Sequence, residues 1–333
     1  MSSSDLHAPA RSTPTDSPVD PAPRVGPRRR RRWTTDGVGR RQEQRAAYLF
    51  LTPWFIGLVF VTIGPVIASL YLSFTDYSII GTPEWVGFDN YIRMFTEDPR
   101  YWQSMRVTAV YVFVSVPLVL IFALLLAVLL NQGLKGLDVY RALFYLPALL
   151  GSSAALALLW RQVFGGSGIV NQALALVGIE GPVWLGDPST ALITLIALHV
   201  WTFGSAMIIF LAGLRQIPVE LYEAARIDGA GRLKIFLKIT MPLLSPIILF
   251  NAVLNVITSF QAFTSAYVIS GGTGGPANST LFYTLYLYEQ GFRLFNMGYA
   301  SAMAWVLLLL IAVCTALVFR TSRYWVFYEN DER

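Results

Sequence analysis

Six long runs without a single Asp, Glu, Lys or Arg constrain this chain more than any other feature. They cover residues 46–75, 107–134, 142–160, 188–214, 239–288 and 294–319. About 18–20 apolar residues cross the hydrocarbon core of a bilayer as a helix, and every run reaches that length. The fifth run is far longer but is interrupted by Gly271-Gly272-Thr273-Gly274-Gly275-Pro276, which leaves one span and a loop. The pattern predicts an all-α membrane protein with six transmembrane helices at about 46–74, 107–131, 142–164, 189–214, 242–269 and 297–319. Only 14% of the residues are charged, against about 25% in an ordinary soluble domain.

The cations are unevenly divided between the two sides of these spans. The tail 1–45 holds ten Lys and Arg, the 131–141 loop two, the 215–242 loop five and the C-terminal tail three. The other side holds five: Arg93, Arg100, Arg106, Arg161 and Arg293. The positive-inside rule therefore puts both termini and the 215–242 loop in the cytoplasm. Residues 1–45, rich in Ser, Pro and Arg, are expected to be a disordered basic cytoplasmic tail, and 321–333 a second cytoplasmic tail. The run Arg28 to Arg32 reads as a topology signal or anionic-lipid contact rather than a nucleic-acid patch. The first apolar run is too long for a signal-peptide core, and no small-residue cleavage site follows it. The single cysteine, Cys314, falls in the last span, where it allows no intramolecular disulfide and reads as a packing residue.

Residues 215–242, RQIPVELYEAARIDGAGRLKIFLKITMP, form a polar island between two spans. Ile217-Pro218 is expected to open a helix, with Glu220 and Glu223 in its first turns where carboxylates favour the helix dipole. Ala224 and Ala225 present almost no side chain, so another surface could approach the backbone, and Gly229 and Gly231 should end the helix. An amphipathic piece follows, with Leu233, Phe236, Leu237 and Thr240 on one face and Lys234 and Lys238 on another, and Pro242 is expected to mark a turn into the next span. Taken alone, such an island is most simply a solvated loop. Its order, however, resembles the signature loop of the membrane subunits of bacterial ABC importers: Glu-Ala-Ala, three residues, Gly, nine residues, Ile-x-Leu-Pro. Here Glu223-Ala224-Ala225, Gly229, Ile239 and Pro242 stand at that spacing, with Met241 in place of the leucine, a swap that conserves volume and apolarity.

Further segments resemble the carbohydrate-uptake branch of that family: SFTDY through GFDNY (73–91), FYLP, ALLW, WLGDP, and GGTGGP with GYASA (298–302). The resemblance covers roughly 46–320 and is closest to the maltose-permease type that carries the GGP loop. It implies the six-span fold of a type I ABC importer permease, with domain limits 46–320 and a coupling loop at 215–241. It implies that residues 218–231 dock on a cytoplasmic ATPase, with Glu223, Ala224, Ala225, Asp228, Gly229, Ile239 and Pro242 carrying the coupling. The implied partners are a second homologous permease, two copies of that ATPase and an extracellular or lipid-anchored solute-binding protein, which the GGTGGP loop would help to engage. The resemblance implies no cofactor in this chain, since ATP and Mg would sit on the ATPase. The outer loop 83–102, with Phe88, Tyr91, Ile92 and Phe95 on one face and Asp89 as cap, reads as an interfacial helix, and residues 168–176 as a second.

The substrate path must come from polar side chains inside the spans. Ser152, His199 with Thr202, and Asn255 with Ser259 each lie near the middle of a span, and polar groups at that depth face a bundle interior or a wet cavity. Asn251, Asn255 and Ser259 share one helical face. The resemblance places Ser152, His199, Thr202, Phe203, Asn255 and Ser259 at sugar-contacting positions, with Ala148 where relatives carry a tyrosine. Interhelical hydrogen bonding is the alternative, at ~0.6 kcal/mol per pair.

Other function classes fit less well. An ion-coupled transporter usually keeps an Asp or Glu within its spans, and none lies inside these runs. A membrane-embedded enzyme would need paired carboxylates, a His-Glu-x-x-His motif or a Ser/His/Asp group, and the chain has only two histidines. No Walker motif occurs, so energy must come from a partner. The expected function is a non-catalytic permease subunit importing an oligosaccharide or disaccharide across a bacterial cytoplasmic membrane, with a phosphorylated polyol left open.

Overall fold

The computed structural model describes residues 37–132, 136–151 and 153–327, with side chains from residue 47 onward. Among them, five helices are long and apolar enough to cross a membrane, and a sixth candidate is a bent pair. The described residues up to 61 and those from 62 onward form two units. In the first, helix α1 (Gly37–Gly57) contains Pro53 and passes into a π-helical stretch, Leu58–Ile63. Residues 37–45, expected to lack structure, are thus helical, whereas residues 1–36 lie outside the described residues. The side chains of this unit are almost all exposed, Phe50, Phe60 and Val61 strongly so, as on a lipid-facing helix.

The second unit opens with α2 (Gly64–Leu72), whose Pro65 lies in its first turn. A minimal antiparallel hairpin follows, β1 (Thr75–Asp76) on β2 (Glu84–Trp85), with Thr75 opposite Trp85. Asn90 ties it down by donating to Ser73 O at 3.0 Å and Thr75 O at 2.9 Å. Asn90 belongs to α3 (Asp89–Thr96), where Ile92 and Phe95 are exposed, like the preceding Phe88, while Met94 is buried. Asp89 does not cap this helix; Phe88 occupies that position without a side-chain bond.

The second span, α4 (Pro99–Leu130), begins two turns earlier than its charge-free run. Asp98 caps it, accepting from Arg100 N at 3.0 Å and Tyr101 N at 3.1 Å, and Pro99 opens it. Arg100 and Arg106 are therefore helical although they lie outside the apolar stretch. Helix α4 is the central post of the unit. Its first half packs Tyr101, Val107, Tyr111 and Val112 into one core, and its second half packs Val119, Ala123, Ala127 and Leu130 into another. Ala123 and Ala127, both 0% exposed, let a neighbouring backbone come close.

The third span is not one helix. α5 (Leu137–Leu150) and α6 (Ala154–Val163) meet at 105°. Pro147 withholds an amide donor inside α5, Gly151 takes φ +47°, and Ser153 restarts the chain by accepting Leu156 N at 3.2 Å. Helix α7 (Ile169–Leu176) follows. The fourth span breaks as well, into α8 (Pro188–Trp201) and α9 (Gly204–Leu214), and Thr202 and Phe203 fill the gap. Asp187 caps α8, and the hydroxyl and amide of Ser189 hold its carboxyl below the usual carboxylate range.

The island contributes α10 (Val219–Ile227) and α11 (Arg232–Ile235). Pro242 makes no turn: α11 runs through a π-helical stretch, Phe236–Thr240, into α12 (Met241–Phe260). Proline has no N–H and its ring crowds the carbonyl four residues back, and the wider π turn just before it accommodates both. Because of that turn the expected apolar face divides. Phe236 and Thr240 point inward, whereas Leu233 and Leu237 are exposed. Helix α12 breaks at 261–263 before α13 (Thr264–Ser270). The segment after the glycine loop folds back as α14 (Tyr283–Tyr288) and a π-helical stretch, Glu289–Arg293, before the last span, α15 (Met297–Ser322). Cys314 is a free, partly buried thiol in α15.

Candidate functional site: a coupling helix and a cavity at three helix breaks

Helix α10 projects from the end of the fourth span. Pro218 holds the N-cap position in extended geometry (φ −56°, ψ 133°) instead of the first helical position expected for it. At the other end, Gly229 N donates to Arg226 O at 3.0 Å and Ala230 N to Ala225 O at 2.9 Å, which is a Schellman closure. Gly229 itself sits at φ +74° with open space around it, so the requirement there is backbone conformation alone. Gly231 does not end this helix; it caps the start of α11.

Two contacts anchor α10 to the body. Ile217 is buried in the core of α4 and α9, and the Tyr222 hydroxyl lies 3.2 Å from Thr240 Oγ1. The rest faces outward: Glu223, Ala224 and Asp228 are exposed, Ala225 is half-buried, and Val219 and Ile227 are 63% and 87% exposed. Ile239 and Pro242 are half-buried on the following helix and do not share this surface. This short helix thus leaves small residues and apolar side chains together on an exposed face.

Halfway along the spans, a cavity of about 390 Å³ collects the three breaks: Ala148 and Gly151 of the third span, Thr202 of the fourth, and Gln261 to Phe263 of the fifth. Irregular backbone at such depth is tolerated where it lines a cavity. Of the residues expected there, His199, Thr202 and Asn255 line it. Ser259 lies one layer behind, 1% exposed, with its Oγ 3.2 Å from His199 Nε2. Phe203 does not reach the cavity; it is buried in the α4 and α9 core against Phe144, because the break turns it inward. Ser152 lies outside the described residues.

Asn255 Nδ2 donates to Asn251 O at 2.9 Å, and Asn251 Nδ2 to Ile247 O at 3.1 Å. Among the described residues neither side-chain carbonyl has a partner, so each remains available as an acceptor. Polar and aromatic lining residues that were not expected from the sequence are Tyr111, Ser205, Thr258, Gln261, Phe263, Thr264 and Ser265. Thr258 was within reach, since 251, 255 and 258 follow helical i, i+4, i+7 spacing better than the chosen Ser259. Gln261 and Phe263 were not, because only the break in α12 turns them in. Helices α5 and α9 cross closely below the breaks: a Cβ on Gly204 would stand 2.5 Å from Phe144 O and 2.9 Å from Tyr145 Cα.

Residues 99–325 match the family model described as "Binding-protein-dependent transport system inner membrane component". The chain is 51% identical to the probable ABC transporter permease protein YesP of Bacillus subtilis, over 88% of this chain and 95% of that one. It is 36% identical to the lactose transport system permease protein LacF of Rhizobium radiobacter, over 83% of this chain and 93% of that one. The fold matches a chain of a bacterial alginate ABC transporter crystallised in complex with its alginate pentasaccharide-bound periplasmic protein, with TM-score 0.74 at 21% identity, over 85% of this chain and 95% of that one. A helical fold broken at mid-depth, a projecting α10 and these matches agree: the chain belongs to the inner-membrane permease subunits of binding-protein-dependent ABC importers, in the carbohydrate-uptake branch that contains the lactose permease protein.

Proposed function

We propose that this permease forms, with a second homologous permease, the path of a neutral disaccharide or oligosaccharide into the cytoplasm. The observation that carries the reading is the chemistry of the cavity at the three breaks. Among the described residues its lining combines Asn, Gln, Ser, Thr, His and aromatic side chains with aliphatic ones such as Val119, Leu198, Ile209 and Leu254, and includes no Asp, Glu, Lys or Arg. A sugar offers many hydroxyls, apolar C–H faces and no charge, and an uncharged lining of mixed polar, aromatic and aliphatic groups suits it. The lactose permease among the relatives is consistent with that class. A phosphorylated polyol would call for Arg or Lys, and the described lining supplies neither.

On the orientation given by the basic residues, α10 faces the cytoplasm and the GGTGGP loop faces out. A solute-binding protein then delivers the sugar on the outer side. An ATPase dimer holds α10, with Glu223, Ala224, Ala225 and Asp228 at the contact and Gly229 shaping its end. ATP binding to that dimer moves α10, and through Ile217 and Tyr222 the motion reaches α9 and α12, which carry two of the breaks. The residues of this chain bind, orient and release solute, while nucleotide chemistry belongs to the ATPase.

The test is uptake by the complete complex in proteoliposomes, using a panel of labelled disaccharides and trisaccharides. Asn255→Leu should change the rate or the order of preference at least several-fold with assembly intact. An unchanged profile across the panel would return Asn255 to helix packing and sink the path as drawn.

A further inference from the structure

Four aromatic side chains form a continuous chain of contacts from the cavity to the surface at the end opposite the island. Phe263 lines the cavity. Its ring stacks on Tyr267 at 5.3 Å between centroids and meets Tyr288 at 5.2 Å. Tyr267 stands edge-to-face on Tyr288 at 5.6 Å, and Tyr288 stacks on Phe292 at 5.3 Å. The pairs 263/267 and 288/292 are each spaced i, i+4, so each lies on one face of its own segment, and the two faces meet. The far end is open: Tyr267 is 37% and Phe292 56% exposed.

The tyrosines of this region fall into two kinds. Tyr283, Tyr286 and Tyr299 are buried, and their hydroxyls donate to Met303 O at 2.8 Å and to Asp98 Oδ2 at 2.7 and 2.6 Å. Those three serve the fold. The hydroxyls of Tyr267 and Tyr288 have no hydrogen-bond partner among the described residues, although their rings are held firmly. Gly272 lies against the Tyr267 ring, where a Cβ would stand 3.0 Å from it. Gly272 N donates to Tyr267 O at 2.8 Å, and Arg293 donates to Gly272 O at 3.0 Å. The glycine loop therefore works as a brace for an aromatic ring whose polar tip is left free.

We propose that Phe263, Tyr267, Tyr288 and Phe292 form an aromatic track on which a saccharide moves between the outer face and the cavity. A pyranose has one face of C–H groups, electropositive and apolar, which packs on the negative face of an aromatic ring. Its hydroxyls ring the edge, where the free tyrosine hydroxyls can bond them. Such contacts are weak singly and repeat along the track, so a sugar passes from ring to ring without a deep trap. The inference rests on the sugar reading of the cavity and adds an entry path with its own residues.

The test uses the complete complex in proteoliposomes with labelled lactose, maltose, cellobiose and maltotriose. Tyr288→Leu combined with Phe292→Leu keeps apolar bulk and removes the aromatic faces. It should lower uptake at sub-saturating sugar by about tenfold, the scale of an aromatic contact or two. Binding-protein-stimulated ATP hydrolysis and assembly should stay at wild-type level, and Tyr288→Phe, which keeps the ring and loses only the hydroxyl, should show a smaller loss of uptake, about threefold. Phe292→Leu alone, at the exposed end, guards against misfolding and should show part of the loss. Leucine variants that import as wild type would reduce the ladder to a lipid-facing belt and overturn the track. So would losses of assembly or ATP hydrolysis in proportion to uptake. If the wild-type complex imports none of these sugars, the sugar reading fails first and the track falls with it; if it imports one and the leucine variants match it, only the track fails.

Discussion

The two glycine-punctuated stretches between spans, 215–242 and 271–299, behave in opposite ways. In the second, side chains are spent on the fold itself. Asp98 accepts from two backbone amides and from the hydroxyls of Tyr286 and Tyr299, and Arg100 grips Glu289 through two bonds of 2.9 and 2.8 Å. Gln290 and Asn296 extend the network, and Tyr283 N donates to Thr108 Oγ1 at 2.8 Å. In the first, Glu220, Glu223, Arg226, Asp228 and Arg232 have no ion pair or side-chain hydrogen bond among the described residues, and Ile227 stands almost wholly in solvent. The polar groups of the second stretch are largely satisfied within the fold, whereas the charged groups of the first are left over, which is what the proposed docking role of α10 requires.

That contrast is most easily broken at Asp98. Asp98→Ala removes the cap of α4, leaves the Tyr299 hydroxyl without a partner and leaves the Tyr286 hydroxyl only the bond it accepts from Gln290, so it should cost about 2–3 kcal/mol of stability. Thermal unfolding of the detergent-solubilised complex would measure it. A variant as stable as wild type would mean that the far segment is held by apolar packing alone, and the difference between the two stretches would then be one of burial, not of bonding.

Gly229→Ala is the intermediate case. The added methyl meets open space, so the only penalty is φ +74° for a residue with a Cβ, about 1 kcal/mol. The complex should assemble with a slightly lower unfolding temperature and weaker ATPase binding, read by co-purification. Full ATPase retention would show that the Schellman closure of α10 does not set the docking geometry.

How much was legible follows the same physics. Apolar runs track helices where the helix is uniformly apolar: the run 294–319 and the helix Met297–Ser322 nearly coincide. They fail where start and stop signals act independently of hydropathy. Asp98-Pro99 starts α4 among charged residues, and Pro147 with Gly151 splits a run that looks continuous. Pro242, read as a turn, sits inside a helix because a π-helical stretch of five residues precedes it, a feature without a composition of its own. The site divides likewise. His199, Thr202 and Asn255 could be found by depth and polarity, since a polar group inside a span has few places to go. Phe203 could not be placed, because a two-residue break decides which way it turns. Gln261 and Phe263 depend on such a break too, and Tyr288 on the fold-back of a loop that the sequence presents as a connection.

The smallest expected change in stability belongs to Glu223→Ala, and it carries the most for function. Glu223 is exposed, lies mid-helix in α10 and has no partner among the described residues. Exposed helical positions of this kind tolerate alanine within about 0.5 kcal/mol, and alanine is itself a good helix former. The variant should therefore insert, assemble with its partner permease and melt as wild type does, while sugar uptake is abolished and the ATPase is retained poorly on co-purification. The pairing of unchanged melting with lost uptake is what separates a surface offered to a partner from a residue that supports the fold. Normal uptake would remove Glu223 from the coupling contact and shift attention to the apolar side chains that α10 also exposes, Val219, Leu221 and Ile227. A lowered melting temperature in proportion to the loss would instead put Glu223 in the same class as Asp98, and the contrast between the two stretches would disappear.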